Sequence, residues 1–131
     1  MTKVTLYENI FLEHEVQVLF DGHANSADPG QDLVCAALSI LAESFAHSAK
    51  ELYERGKADS FHMEPSSFSG SSGKMLIDVK VKDVEFAFAL AGMYDMLLAG
   101  VCLLAGSYPE FVEVDISKVS MYDGWNEHRS M

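Results

Sequence analysis

"FAFALAGMYDMLLAGVCLLAG", residues 86–106, is the stretch on which the fold turns. It is long and apolar enough to cross a bilayer, and it is equally suited to lie against a sheet as a core helix. Asp95, close to its middle, decides between the two. A carboxylate at mid-membrane depth costs about 2.5 to 3.5 kcal/mol, and neither flank carries the Lys/Arg cluster that would orient a span. The stretch is therefore expected as a buried helix, from about Asp83 to Ser107, and no membrane partner is expected. Its apolar residues cover most of the circumference, so one sheet face would not bury them all. A second copy of the chain would take up the remainder.

Working outward, "KMLIDVKVKD" (74–83) alternates as a half-buried strand does, and so do Val4 and Leu6, then Val16, Val18 and Phe20. The first two strands form a hairpin across the connection from Glu8 to Glu15. Beyond the apolar helix, Pro109 stops the chain and "FVEVDIS" (111–117) reads as a last strand. From Leu33 to about Tyr53 the period changes to that of a helix. Val34, Leu38, Leu41, Phe45 and Leu52 form its core stripe, and Gly56 ends it. Residues 57–73 hold Pro65 and "SSFSGSSGK" and are expected as a flexible connector, in which "SFHME" is compatible with a short strand. The order strand, strand, helix, strand(s), helix, strand predicts an α+β fold, a small mainly antiparallel sheet with two long helices packed on it, homodimeric. A single domain over 1–119 is expected, with residues 120–131, Trp125 among them, as a tail.

Composition narrows the function. At 131 residues and 49% apolar content the chain suffices for one core. A net charge of −11 is opposite to what nucleic-acid or anionic-membrane binding requires, and it would attract a basic partner. Cys35 and Cys102 are too few for a disulfide framework and lack the spacing of a zinc site, so a reducing, cytoplasmic setting is expected. The residues after Met1 lack the apolar run of a signal peptide. His14, His47, His62 and His128 are scattered without ligand spacing, so neither metal nor cofactor is implied.

The chemistry concentrates in "GHANSADPGQDLVCAALS", residues 22–39. His23 follows the strand ending at Phe20-Asp21, and Gly22 permits a sharp turn or a close backbone approach. With Asp32 as N-cap, Cys35 falls in the first helical turn, where orphan N–H groups and the helix dipole favour a thiolate. At 100° per residue, Cys35, Ser39, Ala42, Ala46 and Ala49 lie along one line beside the core stripe, small enough to leave room for a second polypeptide. His23 is within reach as a base if the loop folds back, with Asp32 to orient its imidazole. A bland alternative stands beside this: Cys35 as a small hydrophobe and His23 as a hydrogen-bonded strand-end residue.

The same stretch resembles the signature of the ribosomal-processing cysteine protease family called Prp: a GHA segment, a loop, and a G-x-D-[IL]-V-C-A-A-[VL]-S helix start. Here these are Gly22-His23-Ala24 and Gly30 through Ser39. An opening VTL strand, a second long helix and "YPEFVEVDIS" extend the likeness over most of the chain. The resemblance implies His23 as general base, Cys35 as nucleophile and Asp32 as accessory group, with Gly22, Ala24 and Ser39 shaping the substrate site. It also implies a homodimer that removes a short N-terminal extension from a large-subunit ribosomal protein precursor, cutting after an aromatic residue. Ser26, Pro29 and the serine-rich connector depart from the family's habit and bear on substrate choice. A thiol redox sensor and a catalytically silent dimeric binding module remain the alternatives on the same fold. In the first reading, the loop Ala24 to Gln31 closes over substrate as a lid.

Overall fold

The computed structural model describes residues 1–22, 31–65 and 73–121. Strands β1 (Thr2–Asn9) and β2 (Glu15–Gly22) lead into helix α1 (Gln31–Glu54), strands β3 (Ala58–Glu64) and β4 (Lys74–Val81) into helix α2 (Val84–Ser107), and strand β5 (Val112–Ile116) follows. The sheet order is β3-β4-β2-β1-β5, antiparallel except where β5 lies parallel to β1. Each helix is thus the crossover of a β-α-β unit, α1 linking the parallel pair β2 and β3, and α2 linking β4 and β5. Helix α1 packs over β3 and β4, α2 over β4 and β5, and the helices pack on each other.

The alternation legible in the sequence is the pleat of this sheet. Register places Val4 beside Phe20 and Phe20 beside Met75, then Leu6 beside Val18 and Val18 beside Ile77. All are buried. They meet Val34, Leu38, Ala42, Phe45 and Ala49 of α1 and Ala87, Leu90, Tyr94, Leu97 and Val101 of α2 in one core. Burial of these aliphatic and aromatic side chains, at about 25 cal/mol per Å² of apolar surface, drives the fold.

Helix ends are set locally. Asp83 caps α2, its Oδ1 accepting from the amides of Glu85 at 3.0 Å and Phe86 at 3.4 Å. Gly56, at φ 76°, ends α1: its N–H donates to Tyr53 O at 3.0 Å and that of Lys57 to Leu52 O at 2.8 Å, a Schellman motif. The glycine stop expected from the sequence is therefore present, two residues past the helix.

Three expectations need correction. Residues 58–64 form a seven-residue edge strand, β3, because Phe61 and Met63 pack against the core while His62 and Glu64 point the other way. Helix α1 starts at Gln31, so Asp32 is a first-turn residue and not the cap. The line of small residues is not left open: Ala42, Ala46 and Ala49 are buried, since small side chains let α1 approach the sheet closely. Helix α2, in keeping with its nearly all-round apolar sequence, is buried by the sheet on one side only. Phe88, Met96 and Leu103 are 66%, 77% and 72% exposed on the other. Both helices are long and apolar enough, by length and composition, to cross a membrane, and both lay one face on the sheet.

The face of the sheet turned from the helices carries Tyr7, Gln17 and Asp78 in one cross-strand row. Gln17 is fully buried there, and its carboxamide oxygen accepts from Ser120 Oγ at 3.3 Å and from the Met121 amide at 2.9 Å. The chain after β5 is thereby tied to β2 across this face. Trp125 and the rest of 122–131 lie outside the described residues.

Candidate active site

Helix α1 begins at the end of the sheet where β2 finishes, because it must run back to the start of β3, which is parallel to β2. Cys35 is a turn inside that helix start, half-buried and free of any disulfide. Asp32, exposed in the first turn, adds a carboxylate where the positive end of the helix dipole favours one. Ser39 Oγ donates to Cys35 O at 2.8 Å, one turn on, so its hydroxyl braces the helix backbone under the cysteine.

Rotation along the helix separates two flanks of α1. Ala37 and Leu41 face α2, where Leu41 fills the space left by the missing side chain of Gly100. Cys35 and Ser39 fall on the opposite flank, toward the edge strand β3. The apolar groove of about 550 Å³ between the helices, lined by Ala36, Ala37, Ile40, Leu41, Gly100 and Leu103, therefore opens away from the sulfur. Cys102 is exposed on α2, turned away from α1. The two cysteines occupy opposite flanks of the helix pair, which gives Cys35 no resolving partner within the chain.

Gly22 closes β2. Its N–H donates to Gly73 O at 2.6 Å, and the side chain of Thr2, its β1 partner, occupies the space a Cβ at position 22 would need. The serine- and glycine-rich context of Gly73 reads as connector; a glycine directly before an alternating strand is the signal that marks it as a packed residue. His23 and Ala24 lie outside the described residues, as does the loop to Gly30, so the expected lid falls there too. Of the residues expected in the site, Cys35, Ser39, Asp32 and Gly22 are thus placed at one end of the sheet.

The remaining titratable groups stand apart. Burial against the sheet, with the charges of Glu8, Asp95 and Cys102 adding to it, raises the Tyr94 phenol above its ordinary value and keeps the ring neutral in the core. Among the described residues no three His, Cys, Asp or Glu side chains are grouped to hold a metal ion.

The fold is thus a two-helix, five-strand α+β arrangement with a half-exposed cysteine at a helix start. The sequence profile described as cysteine protease Prp matches residues 1–113. The chain belongs to that family and is a cysteine protease. Among solved structures it is similar to SMU.848 from Streptococcus mutans, at 24% identity over 91% of this chain and 96% of that one, with a TM-score of 0.62. It is also similar to an essential ribosomal processing protease Prp from S. aureus in complex with a substrate peptide, at 19% identity over 89% and 100% of the two chains, TM-score 0.62. The same S. aureus protein with a covalently linked product peptide gives 20% identity over 89% and 100%, TM-score 0.61. These likenesses bear on the fold. No curated protein sequence matches the chain.

Proposed function

We propose that this cysteine protease removes a short N-terminal extension from a large-subunit ribosomal protein precursor, with Cys35 as nucleophile and His23 as general base. The observation that carries the reading is Cys35 itself, half-exposed at the start of α1 at the same end of the sheet as the β2 residue that precedes His23. The thiol proton passes to His23 and Sγ bonds to the carbonyl carbon of the scissile peptide. The C–N bond then breaks as the imidazolium returns that proton to the leaving amine. Water hydrolyses the thioester, releasing the new carboxylate and restoring the thiol. Asp32 is an accessory group that favours the charged imidazole, while Gly22, Ala24 and Ser39 shape the wall along which the peptide lies.

Peptide as substrate is supported by the substrate and product peptides held by the S. aureus protease. The net charge of −11 favours a basic ribosomal protein as partner, most strongly at low salt. The apolar outer side of α2 supports a homodimer, in which Phe88, Met96 and Leu103 meet a second copy. The setting is the cytoplasm, where free Cys35 and Cys102 stay reduced. Mass spectrometry of digests tests the reading: one cut after an aromatic residue in the disordered extension of such a precursor, with casein left largely intact. Broad degradation of casein, or no cleavage of any extension by enzyme with reduced Cys35, would contradict it.

A further inference from the structure

Gly56 and Gly73 share a left-handed backbone, at φ 76° and 69°, yet their surroundings differ. A Cβ at Gly56 would meet open space, whereas one at Gly73 would overlap the carbonyl oxygen of Gly22. The contact is reciprocal, since the Gly22 N–H donates to Gly73 O at 2.6 Å. On the other side of Gly22 stands Thr2, itself 7% exposed and seated by its own N–H, which donates to Phe111 O at 2.8 Å. Its hydroxyl and Cβ fill the space where Gly22 has no side chain. The last residue of β2 is thus held between two neighbouring strands, with contacts on both sides that leave no room for a methyl group.

We propose that Gly73 is a positioning residue for the protease reaction, acting through Gly22 to set where the chain leaves the sheet toward His23. The inference rests on the assignment of His23 as base and extends it to a residue outside the signature stretch. Only glycine meets both demands at position 73: an L side chain is strained at this φ, and any Cβ pushes Gly22 O, which belongs to the peptide group bonded to His23. Proton transfer from Cys35 needs its base within hydrogen-bond reach, and a displacement of about 1 Å in such a constellation can lower turnover by about a hundredfold. Gly56 provides the matched control, with the same backbone strain at the far end of α1 and nothing to displace.

The test compares wild type, Gly73→Ala and Gly56→Ala. It measures kcat and KM on a fluorogenic peptide with an aromatic residue before the scissile bond, and the pH dependence of Cys35 alkylation by iodoacetamide, mapped by mass spectrometry. Thermal unfolding is followed in parallel. Gly73→Ala is expected to lower kcat by about ten- to a hundredfold with KM within about twofold, and to shift Cys35 alkylation toward the profile of a free thiol. Gly56→Ala is expected to keep both while losing thermal stability through the backbone strain alone. Should Gly73→Ala fail to fold, Gly73→Asn decides, because asparagine tolerates the positive φ and still carries a Cβ against Gly22 O. Wild-type kcat and alkylation in a folded position-73 variant would overturn the inference alone. A wild type that neither cleaves the peptide nor labels ahead of a free thiol would overturn the assignment of the site, and this inference with it.

Discussion

Helices α1 and α2 are both 24 residues long and both cover the sheet, but they are built for different work. Beyond its first turns, the outer side of α1 is polar, with Glu43, His47, Lys50 and Glu51 exposed, and its start carries the one feature with chemical potential, Cys35. The outer side of α2 exposes Phe88, Met96 and Leu103 with Asp95 among them, and its start is closed by the Asp83 cap. The contrast teaches that a helix can serve a site by its end while its partner serves by its length. Helix α1 leaves a thiol half-exposed near its start. Helix α2 supplies core on one side and an exposed apolar surface on the other.

The contrast breaks most sharply at the cysteines. Cys35→Ala and His23→Ala are each expected to lower peptide cleavage roughly a thousandfold or more with circular dichroism unchanged, whereas Cys102→Ala stays within about twofold of wild type. Equal losses from Cys35→Ala and Cys102→Ala would erase the division between the helices. For α2, the largest effect lies in the core: Leu90→Ala, at a fully buried position, is expected to cost about 2 to 5 kcal/mol in denaturant unfolding.

On the outer side of α2, Leu103→Asp is expected to leave the chain folded and to halve its mass in light scattering, from about twice 14.4 kDa to that of one chain. A wild type that is monomeric at micromolar concentration would leave the apolar side without its proposed occupant. The smallest difference is at the helix starts. Asp83→Ala removes two amide contacts and is expected to cost about 1 kcal/mol, and Asp32→Ala, which removes only a favourable charge near the dipole, about half that in thermal unfolding at low salt.

Much of this division is legible in the sequence, for physical reasons. Strand alternation in β1, β2 and β4 and the helical stripe of α1 survive folding because each element lays one apolar face on the common core. Asp95 argues for a sheet-packed helix over 86–106, and α2 does lay one face on the sheet, with Asp95 exposed. The signature from Gly22 to Ser39 names the candidate site, and of its residues Gly22, Asp32, Cys35 and Ser39 are described. What periodicity could not reveal is how closely two backbones approach. Ala42, Ala46 and Ala49 read as an open line because smallness on a helix suits a partner chain and a tight sheet contact equally well. Gly73 read as connector because its glycine- and serine-rich neighbours masked a packing role that depends on Gly22, some fifty residues away in the chain. Strand β3, at the edge with a bulge between Ala58 and Ser60, has too short an alternation to stand out.

The central claim, that Cys35 is the attacking group, is tested most directly by mapping the adduct of a peptidyl chloromethyl ketone that ends in an aromatic residue. One adduct per chain is expected, on Cys35, with cleavage lost in proportion to labelling and protection by excess substrate peptide. Labelling of Cys102 instead, or cleavage that persists with Cys35 fully modified, would contradict it.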